Sequence, residues 1–189
     1  MLNNNYRKGI ILAAGLGTRL KPLTNVFSKH FLNIYNKPMI YYPLTTLMSL
    51  KVREILIITN QENYNLYFKL LKHGRHLGIN IDYEIQNKPN GIAESLKIGK
   101  KFLQNKPSVL ILGDNLLFGK NILKTLKEAY LKSNSTIFTV KVKNPDSFGV
   151  LYKKNNKFQI IEKPKKYLSN KAVIGLYFFD KFAPYFASK

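Results

Sequence analysis

Short apolar runs punctuate the chain at residues 8–14 (Lys-Gly-Ile-Ile-Leu-Ala-Ala), 53–59 (Arg-Glu-Ile-Leu-Ile-Ile-Thr) and 108–112 (Ser-Val-Leu-Ile-Leu). Each is short, aliphatic and bounded by glycine or polar residues, which is the signature of a strand buried on both faces. Between and after them, apolar residues recur at helical spacing over 38–50, 62–72, 92–103 and 122–131. Strand alternating with helix predicts an α/β fold, a three-layer α/β/α arrangement around a mixed, mostly parallel central sheet. From Ser135 onward the pattern changes to β-rich stretches at 136–142, 148–152, 157–161 and 172–179. Asn144-Pro145-Asp146 and Lys154-Asn155-Asn156 supply turns between them. These strands are expected to continue the same sheet. No repeat, low-complexity linker or boundary interrupts the chain, so residues 1–189 read as one domain.

In an open α/β sheet, ligands lie beyond the carboxyl ends of the strands. That rule makes the loops Gly15-Leu16-Gly17 and Gly113-Asp114-Asn115 expected neighbours in one site. The first belongs to Leu12-Ala13-Ala14-Gly15-Leu16-Gly17-Thr18-Arg19, where small residues let backbone N–H groups approach an anion and Arg19 offers a positive fork for phosphate. It is neither a dinucleotide fingerprint, which needs glycine where Leu20 stands, nor a Walker A loop, which needs Gly-Lys-Ser/Thr where the chain has Leu20-Lys21-Pro22. Taken alone, the glycine pair is as readily a structural strand-to-helix turn.

Composition narrows the chemistry. At 189 residues, 45% hydrophobic and 22% charged, the chain is that of a globular protein with a real core. Its net charge of +21 invites a nucleic-acid or anionic-membrane reading. However, only Arg7, Arg19, Arg53 and Arg75 are arginines, and the lysines are scattered without a block of like charge. Base-reading and phosphate-clamping surfaces favour the arginine fork, so a solvated lysine-rich surface is the expectation, with neither nucleic acid nor membrane as partner. The absence of cysteine excludes disulfides, thiolate metal sites and a cysteine nucleophile. His73 and His76 stand three apart but lack a third ligand. No apolar run reaches the roughly 18 residues of a membrane span, and the polar start Met1-Leu2-Asn3-Asn4-Asn5 is unlike a signal peptide; a cytoplasmic location is expected.

Motifs further along give the loop a context. After Gly9 to Thr24 come Ser28-Lys29, Lys37-Pro38-Met39-Ile40-Tyr41-Tyr42-Pro43-Leu44, Gln86-Asn87-Lys88-Pro89-Asn90-Gly91-Ile92-Ala93, Leu112-Gly113-Asp114-Asn115, Phe148-Gly149-Val150, Glu162-Lys163-Pro164 and Val173-Ile174-Gly175-Leu176-Tyr177. In this order, across nearly the whole chain, the sequence resembles the sugar-phosphate nucleotidyltransferases, and most of all their branch that transfers thymidylyl to glucose 1-phosphate. The resemblance implies a Rossmann-like nucleotidyltransferase fold. The implied reaction joins dTTP to glucose 1-phosphate, giving dTDP-glucose and pyrophosphate for deoxysugar and surface polysaccharide synthesis. The alternatives are an inactive or weakly active truncated nucleotide-binding remnant, or a uridylyl- or cytidylyltransferase acting on a sugar 1-phosphate.

Such a reaction needs no serine, cysteine or histidine nucleophile, because the attacking phosphate oxygen is already anionic. The difficulty is bringing two polyanions together, which calls for cations and Mg²⁺. By match to the family's motifs, Leu12, Ala14, Gly15, Gly17, Thr18 and Arg19 would hold the nucleotide. Arg19, Lys29 and Lys163 would be catalytic cations. Gln86 and Gly91 would read the base, and Asp114 would ligate Mg²⁺. Gly149, Glu162, Lys163 and Val173 would form the sugar-phosphate site. Outside that match, Asp114 also reads as a helix-capping residue, Gln86 as an ordinary strand end, and Glu162-Lys163-Pro164 as a charged pair closing a strand.

Several positions depart from the family's pattern: Ala14 for a small residue that is often glycine, His30 for glutamine, Asn33 for proline, Asn36 and Asn90 for aspartate, and Phe148 for tyrosine. Ala14 asks for room near the phosphates, and Phe148 would cost one sugar hydrogen bond of about 1 kcal/mol. Members of the family also run on past the point matching Lys189, with a second metal-binding aspartate, more sugar pocket and the elements of homo-oligomeric assembly. The expectation is therefore a C-terminally truncated domain, weakly active at best, whose assembly is doubtful.

Overall fold

A computed structural model describes residues 6–15, 17, 20–25, 28–88 and 90–188. Its strands are β1 (Lys8–Leu12), β2 (Asn33–Ile34), β3 (Lys37–Pro38), β4 (Glu54–Thr59), β5 (Asn80–Ile85), β6 (Ser108–Leu112), β7 (Thr136–Lys141), β8 (Gly149–Lys154), β9 (Lys157–Glu162) and β10 (Lys171–Phe179). Its α-helices are α1 (Tyr41–Ser49), α2 (Tyr64–Leu71), α3 (Ile92–Ile98), α4 (Lys100–Leu103), α5 (Ile122–Tyr130) and α6 (Ala183–Phe186). Eight strands form one sheet, in which β5, β4, β1 and β6 run parallel and β10 joins β6 antiparallel.

Alternation along the central strands builds the three layers, because successive side chains leave opposite faces of the sheet. Ile11, Ile55, Ile57, Val109, Ile111, Leu176 and Phe178 join one core with Leu44 and Leu47 of α1, Tyr67 and Leu71 of α2, and Leu126 and Ala129 of α5. Ile10, Leu56, Ile58 and Leu110 face the other way, onto Leu96 of α3 and Leu103 of α4, with Ala183 and Ala187 packed alongside. The runs are apolar at every position because both faces are covered.

The C-terminal strands make a branch. β7 pairs β10 at Lys171–Val173 and again at Tyr177–Phe178, across a register shift. It therefore occupies one edge of β10 along nearly its whole length. β6 (opposite Leu176–Phe179) and β8 (opposite Ala172) must share the other edge, one beyond the other. The β8–β9 hairpin consequently extends the line of β6 past its carboxyl end, over the region where the site is expected.

The expected helix over 92–103 is broken into α3 and α4 at Gly99, where a Cβ would lie 2.9 Å from Ile10 Cδ1: the chain passes too close to β1 for a side chain. The expected helix over 38–50 starts only at Tyr41, since Lys37–Pro38 pairs with Asn33–Ile34. Strand β5, absent from the sequence expectation, alternates Asn80, Asp82 and Glu84 with Ile81, Tyr83 and Ile85, as an edge strand does when one face is wet. Among the described residues, no helix is long and apolar enough to cross a membrane.

At the amino end of the sheet, Arg7 is 2% exposed, and among the described residues no carboxylate is bonded to it. Its guanidinium donates to the carbonyls of Tyr130 (3.2 Å), Ser108 (3.4 Å), Phe179 (2.7 Å) and Lys132 (2.5 Å), tying together β1, β6, β10 and the end of α5. Burial pulls the guanidinium pKa down, with the nearby Tyr130 and Asp180 acting in the opposite direction. Arg7→Met should strand these carbonyls without donors and lower unfolding free energy by about 3 kcal/mol. Urea denaturation followed by circular dichroism measures this; a loss below about 1 kcal/mol would show that the carbonyls find water instead.

Candidate active site

β1 and β6 lie side by side in register, Leu12 opposite Leu112, and the pairing continues one step past the strands. Gly113 N–H donates to Leu12 O at 2.8 Å, while Ala13 N–H donates to Ile58 O at 2.7 Å on the other side. The loops after β1 and β6 are thereby joined at their roots, as the topology rule anticipated. Asp114 emerges next, its side chain 37% exposed, and forms an ion pair with Lys29 Nζ. Lys29 sits on a 3-10 turn, Lys29–Phe31, that follows the glycine-bearing loop after β1. Burial raises the Asp114 carboxyl, but the hydrogen bond and charge of Lys29 outweigh it, so Asp114 stays below the ordinary carboxylate range.

Around this pair, Ala14 is buried at 4% exposed, Gly15 is exposed, and Gly17 adopts φ +63° with its carbonyl accepting Thr24 Oγ1–H at 2.9 Å. The backbone favours glycine there, and a Cβ would also lie a tight 3.1 Å from Thr24 Cγ2. Thr18 and Arg19 lie outside the described residues. Their assignment to the triphosphate rests on the sequence motif.

Gln86 follows β5 and is 3% exposed. Its backbone N–H donates to Thr59 O at 2.8 Å, and its amide Nε2 donates to Glu94 Oε2 at 2.5 Å and to Gly91 O at 3.5 Å. Gly91 has φ +89° where α3 begins. The two expected base-reading residues are therefore together, but Glu94, which the sequence reading did not pick out, orients the amide. Hydrogen bonds from Gln86 and then Asn90 hold the Glu94 carboxyl below its usual range, against a smaller opposing effect of burial.

On the opposite wall, Gly149 pairs with Glu162 across the β8–β9 hairpin, and a Cβ at Gly149 would lie 2.9 Å from Glu162 Oε2. Glycine there makes space for the family-matched carboxylate itself. Lys163 is exposed at φ +46°, and its N–H donates to Phe148 O at 2.9 Å. The unusual backbone turns the chain sharply after Glu162. Val173 lies half-buried on β10, next to Ala172, which pairs with Val150. Gly149, Glu162, Lys163 and Val173 thus share the branch of the sheet beyond β6. Phe148 is 43% exposed.

Two further residues belong to this centre. Asn115 Nδ2 is buried yet has no hydrogen-bond partner among the described residues; it lies 3.0 Å from where a Cβ would stand at Gly175 on β10. It lies between the Asp114 loop and β10, as a buried donor that the described side chains leave unpaired. His30, singled out in the sequence only as a departure, is 2% exposed, with Nδ1 2.9 Å from Ser28 Oγ. Neither has a periodic signal; Asn115 could have been found from its place beside Asp114.

Among the described residues, no group of three His, Asp or Glu side chains could hold a metal alone. Asp114, an ionised carboxylate already facing a cation, fits the Mg²⁺ habit of binding through one or two carboxylates plus substrate phosphates.

Residues 8–189 match the family model described as nucleotidyl transferase. The chain belongs to the nucleotidyl transferase family. A glucose-1-phosphate thymidylyltransferase of Neisseria meningitidis is 45% identical over 186 residues, 96% of this chain and 64% of that protein. One of Mycobacterium tuberculosis is 43% identical over 92% of this chain and 61% of its own length. The chain therefore spans less than two thirds of these nucleotidyl transferases. A Bacillus anthracis structure solved with sucrose superposes at a TM-score of 0.85 with 35% identity, covering 95% of this chain and 74% of that one. UDP-glucose pyrophosphorylase with UDP-glucose bound gives 0.80 at 25% identity, over 97% and 79%. The fold is thus the Rossmann-like fold of nucleotidyl transferases.

Burial, then the charge of Lys29, pushes His30 down to about 4, with Asp114 opposing. Between that value and the free value of 6.5 the unfolded chain binds more protons. Stability is therefore full above pH 6.5 and falls as pH drops toward 4, by about 3 kcal/mol in all. In the metal-free protein, His30→Gln should flatten this part of the stability-against-pH curve in urea titrations; parallel curves for the two proteins would refute it.

Proposed function

We propose that this chain transfers thymidylyl from dTTP to glucose 1-phosphate, giving dTDP-glucose and pyrophosphate, within a single nucleotidyltransferase domain. The observation that carries this reading is the Lys29–Asp114 ion pair at the joined ends of β1 and β6, between the nucleotide loop and the hairpin bearing Gly149 and Glu162. The relatives named above carry this activity.

In this reading the nucleotide lies along the carboxyl ends of β1, β4 and β5. The base sits near Gln86 and Gly91, and the triphosphate by Gly15, Gly17, Arg19 and Lys29. The sugar phosphate enters from the β8–β9 side, where Glu162 meets its hydroxyls and Lys163 its phosphate. An oxygen of the sugar phosphate attacks the α-phosphorus of dTTP. A new P–O bond forms as the α–β bridge breaks, and the electron pair leaves on pyrophosphate. No proton needs to move, so the protein's work is alignment and charge neutralisation.

Mg²⁺, when bound, would supply positive charge against the phosphates of both substrates, with Asp114 as its protein ligand. Lys29 now balances the Asp114 charge. Its ammonium is also placed to bind the triphosphate, and Asp114 is the residue that would hold the metal.

Asp114→Asn preserves size and removes the anion. Pyrophosphate release from dTTP and glucose 1-phosphate should fall by about 10²–10³-fold in kcat, while the fold, read by circular dichroism, is kept. Activity within about threefold of the unaltered chain would overturn the assignment, and faster turnover with UTP than with dTTP would move it to the uridylyl reaction.

A further inference from the structure

The glycine of the Gly113–Asp114 turn is held from three sides. Its N–H is bonded to Leu12 O. A Cβ on it would lie 2.9 Å from the methyl of Ala13, 2.8 Å from His30 Cδ2 and 2.9 Å from His30 Nε2. The imidazole is therefore the floor of the turn that presents Asp114. The ring is fixed in turn: Ser28 Oγ engages Nδ1 at 2.9 Å, Tyr67 packs with ring centroids 6.3 Å apart, and the His30 carbonyl accepts Ile40 N–H at 3.0 Å. Adjacent residues of one short 3-10 turn thus grip adjacent residues of the other loop, His30 beneath Gly113 and Lys29 on the carboxylate of Asp114.

We propose that His30 is a positioning residue for the divalent cation of nucleotidyl transfer: wedged under Gly113, it sets the height and direction of Asp114. This rests on the function proposed above. A carboxylate serves Mg²⁺ only if its oxygen arrives at a distance near 2.0–2.1 Å from the ion in near-octahedral geometry. A gap beneath the turn would let Asp114 sink or swing while leaving the nucleotide loop in place. Groups that orient a metal ligand without touching the metal commonly alter affinity by about 10–100-fold. The imidazole touches neither metal nor substrate; its effect passes through the backbone of Gly113.

The test is calorimetric and needs no turnover. dTTP binding to the purified chain is measured without glucose 1-phosphate, once in EDTA and once in excess Mg²⁺, and the ratio of the two affinities is the metal's contribution. His30→Ala should cut that ratio by about tenfold or more, with dTTP affinity in EDTA unchanged within about threefold. His30→Gln, which refills the space and can still bond Ser28, should keep the ratio. Leu103→Ala, a cavity in the core on the other face of the sheet, where α4 leads into the amino end of β6, serves as a control of comparable destabilisation and should also keep it. An unaltered ratio in His30→Ala would overturn the proposal, as would an equal fall of both affinities or a fall in Leu103→Ala. If the unaltered chain itself binds dTTP no more tightly with Mg²⁺, the assignment of Asp114 to the metal fails, and this inference with it; if it binds no dTTP at all, the proposed function is what fails.

Discussion

The in-register parallel pairing of β1 with β6 is the constraint from which the candidate site follows. Leu12 opposite Leu112 brings two chain segments a hundred residues apart to the same level, and the bond from Gly113 N–H to Leu12 O fixes their exits. A slip of one residue would exchange the two faces of the strand, sending Ile10 and Leu110 into the core meant for Ile11 and Ile111. Register here is therefore enforced by both hydrophobic cores at once. The position of Asp114 relative to the nucleotide loop inherits that enforcement, because one glycine separates it from the strand.

The branch at β10 has the same standing for the other half of the site. A sheet that simply ended at β6 would leave its carboxyl end open to solvent on that side. Because β7 takes one edge of β10 throughout, the other edge has room for β6 and then for the β8–β9 hairpin. The hairpin's first residue pair, Gly149 with Glu162, is thus delivered beyond the strand that delivers Asp114. Gly149 and Glu162 are thus tied to the strand that carries Asp114 through continuous main-chain pairing, from β6 to β10 to β8 to β9, which fixes their relation better than a free loop would.

Much of this was readable from the residues. Aliphatic runs at every position announced strands covered on both sides, and the glycine-rich exits of two of them pointed to one shared corner. The parts that were not readable depend on partners distant in sequence. β5 alternates like an exposed strand but carries Asn, Asp and Glu on its wet face, so only pairing with β4 reveals it. Glu94 looks like an ordinary helix residue until Gln86 is seen donating to it. Arg7 gives no hint that its guanidinium is satisfied by main-chain carbonyls and not by an acid, since those carbonyls come from three other segments.

Net charge takes a different meaning once the cations are placed. Arg7 and Lys8 precede and begin the same strand, and alternation sends them to opposite faces. Arg7 is enclosed by carbonyls on the α5 side, while Lys8 bonds Glu54 at 2.8 Å and the Phe102 carbonyl at 2.8 Å on the other. Both are used up in holding the amino end of the sheet. At the carboxyl end Lys29 pairs with Asp114, and its side chain is 20% exposed. Its partner is a single side-chain carboxylate on a loop, and not the main chain of the sheet. The two ends of the sheet therefore hold their cations differently: Arg7 and Lys8 at the amino end donate to main-chain carbonyls that the fold supplies, whereas Lys29 at the carboxyl end rests on one partly exposed carboxylate.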